Sequence, residues 1–333
     1  MRPPPELPTQ GIGPHVELNS DGIISFPPAD SLDREGNHLP RLRALHPDLR
    51  ELARELLAGL SRGNAPHAVL CERVAIYVTL IDQDLQSIDF RRLYSAGVRL
   101  SNATHATDRA ISIGELPQFE PSEGEKRASL LDLHGSFILA TAAGAEAVED
   151  EERYRRRPSE ERRYRADAIA MATALQGRPE LVDPEVAEQL LGAARDIGQG
   201  YNPERSTVAG RAMVRNVTIS IVGGAIGSAV LMYAGPLVAG AGAATAFVGT
   251  LAISETIKMT RWFSLLTESM ASRMDNLIDA PSRAAAEKFR SGLRRHSQFV
   301  TANEPTLRRL AGRREELRFL RRALDWLSGR NAR

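Results

Sequence analysis

Seven histidines and one cysteine are the residues most able to do chemistry, and their spacing argues against it. The histidines (His15, His38, His46, His67, His105, His134 and His296) are scattered along the chain. None pairs in the H-x-x-x-H or H-E-x-x-H spacing that sets two imidazoles on one helix face for a metal. His134 lies near Asp132, and Cys71 near His67, within about one helical turn. A lone His or Cys on a half-apolar helix is ordinarily part of the packing. Cys71 is the only cysteine, which excludes an internal disulfide and a multi-cysteine zinc site. No serine elbow or lysine-bearing phosphate loop occurs. The expectation is a chain with no catalytic, cofactor or metal residues. An enzyme whose residues are gathered only by the fold is the alternative.

Arginine is the abundant functional side chain. Of 43 basic residues, three are lysines (Lys126, Lys258, Lys288) and the other 40 are arginines. Arginine forks suit phosphate and carboxylate, although a GC-rich bacterial genome gives the same bias. The 43 basic residues nearly balance 42 acidic ones over 333 residues. That balance hides an asymmetry, because 258–333 carries 17 basic and 8 acidic residues. A basic tail containing Arg308, Arg309, Arg313, Arg314, Arg318, Arg321 and Arg322 could lie on anionic lipid headgroups. Solvated helix faces are the plain reading, and nucleic acid is not expected as a partner. The charge run from Glu149 to Asp167 interleaves arginines, acids, Tyr154 and Tyr164, which reads as a solvated surface.

The element pattern that positions these groups is helical. Residues 1–36 are proline-rich and hold Asn19-Ser-Asp-Gly between short apolar runs, the signal of a small β-hairpin. Residues 37–200 read as a helical domain: Leu42, Leu45, Leu49, Leu52, Leu56, Leu57 and Leu60 recur at helical spacing. Ser87, Ser122 with Glu125, Pro158 and Asp183-Pro184 stand as helix starts. Residues 201–215 read as a polar linker, and 258–333 as basic helices. The last of those is expected from Glu304 to about Ser328, with Leu310, Leu317 and Leu324 seven apart. The fold class expected is all-α.

The most informative stretch is 216–257. No charge occurs between Arg215 and Glu255, and Gly235-Pro236 divides the run into Asn216–Ala234 and Leu237–Ser254. Each half approaches the roughly 20 helical residues that cross a bilayer. Arg211 and Arg215 precede the run, and Lys258 and Arg261 follow it, so both ends are expected on the cytoplasmic side. The expected element is a transmembrane helical hairpin of a bacterial inner-membrane protein with a cytoplasmic helical domain. A helix apolar on every side also fits the core of a soluble protein.

Small residues within the run suggest close helix approach. Gly223 and Gly227 form a GxxxG, Gly224 recurs with Ser220 and Ser228 on an adjoining face, and Gly240 with Ala244 repeats the pattern. Homo-oligomerisation through these residues is expected. Val217 to Gly227 also resembles the strand-to-helix entry of a dinucleotide-binding Rossmann unit. Val222 stands where the first glycine of that motif must turn, and no acidic residue occurs before Glu255, so no cofactor is expected. The leading functional expectation is a membrane-anchored adaptor or sensor with the bilayer, its own copies and a cytoplasmic protein as partners. The alternative is a membrane-perturbing effector whose hairpin opens a pore or defect when triggered.

Overall fold

The computed structural model describes residues 4–29, 32, 34–62, 66–153, 158–234, 280–312 and 317–329. The protein is mostly helical, with eleven helices and one two-stranded sheet among the described residues. The strands β1 (Glu17–Leu18) and β2 (Ile24–Ser25) pair antiparallel, with Glu17 opposite Ser25 and Leu18 opposite Ile24. The Asn19 side chain accepts from the Asp21 and Ile23 amides, and Gly22 takes φ 73°, which closes the turn. The hairpin is not a surface ornament: Ile24 is fully buried and bonds across to Leu181 and Asp183.

The helices are α1 (Leu39–Leu60), α2 (Ala68–Ile81), α3 (Phe90–Ser112), α4 (Pro121–Ile138), α5 (Ala142–Arg153) and α6 (Pro158–Gln176). They continue with α7 (Pro184–Asp196), α8 (Pro203–Ala234), α9 (Ala280–Ala302), α10 (Glu304–Ala311) and α11 (Arg318–Leu327). The leucine stripe of α1 is as spaced: Leu42, Leu49, Leu56 and Leu60 are buried, while Leu45, Leu52 and Leu57 pack at the margin. Asp183 caps α7 by accepting from the Glu185 amide at 2.9 Å, ahead of Pro184 at the first position.

Several starts and stops differ from the sequence reading. The cap of α3 is Asp89, which accepts from the Arg91 and Arg92 amides, and not Ser87. Asp89 directly precedes the first buried aromatic, Phe90, so it is the residue at the helix mouth. No capping box forms at Ser122, because Pro121 already occupies the first helical turn and the cap position falls on Glu120. The expected single last helix is two. Gly312 adopts φ 26°, a backbone that breaks the helix, so Leu310 ends up on α10 while Leu317 and Leu324 belong with α11. The three leucines still share one core.

From Pro203 on, the expected linker 201–215 is the first part of α8. Asn202 caps it, its side chain accepting from the Arg205 amide at 3.1 Å, and Pro203 opens it. Asn202-Pro203, inside the stretch read as a linker, is here a helix start. The helix then runs unbroken through the first uncharged half-span to Ala234, a rod of about 48 Å. It crosses two cores. One core joins α1 to α5 and takes Val208 and Ala209 from α8. The other joins the hairpin, α6, α7 and α9 to α11, and takes α8 from Met213 to Ile226.

Candidate functional site

Helix α8, over Pro203–Val230, is the one helix among the described residues long and apolar enough to cross a membrane, and 89% of its most apolar window is buried in protein. Its surroundings form a sheath. The N-terminal segment from Leu7 to Val16 lies along one side, tied by side chains that the apolar pattern does not reveal. Arg215 donates to the Thr9 carbonyl at 2.9 Å. Asn216, wholly buried, donates to the carbonyls of Ile12 at 3.3 Å and Pro14 at 3.1 Å. Gln10 donates to the Val16 carbonyl at 2.6 Å and to Ser220 at 3.1 Å, and accepts from the Val16 amide at 2.9 Å. Ser220 also donates to the Val16 carbonyl at 3.0 Å. A helix that would meet only hydrocarbon needs no such partners, whereas a helix gripped by an irregular segment must satisfy that segment's backbone.

The small-residue faces are filled by the chain itself. Leu7 lies over Gly223, where a side-chain carbon would sit 3.4 Å from the Leu7 methyl. His296 of α9 lies over Gly224, where the same carbon would come within 2.8 Å of the imidazole. On α9, Gly292 lets the helix press against the hairpin turn at Asp21 and Gly22. Gly227 is buried. Gly240, Ala244, the Gly235-Pro236 break and the second half-span lie outside the described residues, as do Lys258, Arg261, Arg313 and Arg314.

The basic residues expected at the flank of the apolar run or against lipid differ in their surroundings. Arg211 is buried at 2% exposure with its guanidinium over the Tyr164 ring, and Arg215 holds the N-terminal segment. Arg308 pairs with Glu304 at 2.7 Å and Asp325 at 2.8 Å, and Arg309 with Asp167 at 2.8 Å. Arg318, Arg321 and Arg322 share the exposed face of α11.

His296 holds the point where three elements meet. Its ring is fully buried, and Nε2 donates to the Gly22 carbonyl at 2.7 Å. That bond puts the ring proton on Nε2, so Nδ1 is an acceptor, and it has no partner among the described residues. Burial lowers the imidazole to about 4, opposed by the bond to Gly22.

Two other buried polar groups escaped the sequence reading. Tyr77 and His134 share a 2.9 Å hydrogen bond in the α1–α4 core, with Gly97 making room for the imidazole. His134 is therefore partnered by Tyr77, not Asp132. Burial lowers it to about 3 and drives the Tyr77 phenol up. Arg99, at 6% exposure, lies across Gly192 of α7 with Nε 3.8 Å from Asp196. Burial lowers Arg99, with Arg73 pushing the same way, and burial raises Asp196 against the opposing pull of Arg99 and Arg73. The signal for this pair was Arg99 itself, a charge between Val98 and Leu100 on the buried side of α3.

The remaining histidines make local contacts: His15 meets the Gly11 carbonyl, His38 caps α1, His46 meets the Ile81 carbonyl, His67 stacks on Phe119 and His105 meets the Tyr201 ring edge-on. No group of three or more His, Cys, Asp or Glu side chains able to hold a metal occurs among the described residues. Against family models, curated proteins and solved structures, the chain finds no match.

Proposed function

We propose that this chain is a non-enzymatic, membrane-associating protein of the effector class, and that the arrangement described is its sheathed form. The observation that carries this reading is the burial of the apolar half of α8 within its own protein. An anchor permanently in lipid would turn Gly223 and Gly224 toward another helix or hydrocarbon. Here Leu7 and His296 occupy those positions. The uncharged run from Asn216 to Ser254 becomes available to a bilayer, as a hairpin broken at Gly235-Pro236, when the N-terminal segment and α9 withdraw. Assembly between copies through the same glycines would follow that release.

Vesicle flotation with dye release tests the reading. Wild-type protein should associate weakly with vesicles containing anionic lipid. Gln10→Ala, which removes the side chain tying Val16 to Ser220, should associate more and release more dye. Failure of both proteins to associate under any condition that opens the sheath would sink it.

A further inference from the structure

We propose that His296 is an acid-sensitive latch, holding α9 and the hairpin turn against the apolar half of α8. The proposal rests on the sheathed reading and supplies the trigger that reading lacks.

The geometry gives the latch two states. In the closed state a neutral imidazole fills the space left by Gly224, and its one proton is spent on the Gly22 carbonyl. The second nitrogen is sealed from water and bonded to nothing described. A proton arriving at Nδ1 makes a cation and a new donor that has no hydrogen-bond partner among the described residues. Relief requires water at Nδ1, and water reaches it only if α9 or the turn moves away from α8. The close approach of Gly292 to Asp21 and Gly22 means that these two elements move as one.

The surrounding charges do not compensate. On the turn, Asp21 is already paired with Lys288 of α9 at 2.8 Å. On α9, Arg294 and Arg295 are exposed next to His296 and add positive charge, Arg290 is partly exposed, and the one described acid, Glu287, lies more than two turns earlier beside Lys288. On α8 no charged residue occurs from Asn216 to Ala234. On β1, burial raises the Glu17 carboxyl, so its protonation favours the closed state and works against the latch. On the N-terminal segment, burial lowers His15, so its protonation works with the latch.

The sign follows from linkage. A histidine at about 4 when closed and near 6.5 when open leaves the closed state undisturbed above 6.5. As the pH falls from there through about 4, protons bind the open state first, and the closed-to-open ratio drops by up to roughly 300-fold.

Amide hydrogen exchange on the full chain without lipid, corrected for the intrinsic pH dependence of exchange, reads the latch. Wild-type α9 should lose protection between pH 6.5 and 4 while α1 and α2 keep theirs. His296→Gln can donate to Gly22 and does not titrate, so its α9 should stay protected over the same range. Loss of protection in both proteins alike, in neither, or in all helices together would overturn the proposal. Should the glutamine variant not fold, the exchange rate of the His296 ring C2–H in wild-type protein gives the titration directly. It must show His296 neutral where α9 is protected and charged where α9 opens, and any other order overturns the latch. Flotation with phosphatidylcholine–phosphatidylglycerol vesicles over the same pH range separates the two claims. Opening without flotation keeps the latch and removes the membrane reading.

Discussion

The Tyr77–His134 pair shows what a buried polar contact demands of its neighbours. Tyr77→Phe leaves Nδ1 of a fully enclosed imidazole without its partner, a loss of about 1–3 kcal/mol. Urea unfolding at pH 7.5 should show it as a lower midpoint with an unchanged slope. Because burial holds His134 near 3, wild-type stability should fall progressively as the pH drops from 6.5 toward that value. At Arg99 and Asp196 the prediction is one of non-additivity. Arg99→Met alone leaves the Asp196 carboxylate, 26% exposed, without its guanidinium and should cost about 1–3 kcal/mol, and the double variant with Asp196→Leu should cost less than the single one. Neither pair was legible in the sequence. Partners 57 residues apart for Tyr77 and His134 meet only once three helices have packed. Sequence proximity pointed instead to Asp132.

Among the elements, the helix starts at Pro158 and Asp183-Pro184 were readable because each proline fixes a first turn, whereas Pro203, which opens α8, was read as part of a linker. The Asp-Gly hairpin was readable for the same local reason. What could not be read was the solvent of α8. Hydrocarbon and a protein core impose the same all-round apolar pattern, and only Asn216, Ser220 and their backbone partners distinguish them. The two glycines on this helix should respond differently to a methyl group. Gly224→Ala pushes into the imidazole of His296 and should lower the melting temperature markedly. Gly223→Ala meets the end of Leu7 at ordinary contact distance and should be close to neutral. Equal effects at both would mean that α9 does not sit where it is described. At Gly312 the same change forces alanine to φ 26°, and the α10–α11 break should become less stable by about 1 kcal/mol.

For the whole molecule, the charge asymmetry acquires a location. Arg318, Arg321 and Arg322 lie on the exposed face of α11. Arg321→Glu with Arg322→Glu should leave the melting temperature within about 1 °C, since exposed charges contribute little to stability. The same variant should weaken vesicle association, and added salt should abolish the difference between it and wild type. An unchanged flotation profile would assign that face to solvent alone.

The length of α8 sets how this protein comes apart. One continuous rod gives Val208 and Ala209 to the first core and Met213 to Ile226 to the second. Heat cannot melt either core without fraying the element that the other is wrapped around. A calorimeter should therefore record one endotherm rather than two. Substitutions as remote from each other as Tyr77→Phe and Gly224→Ala should shift that single peak together, instead of splitting it.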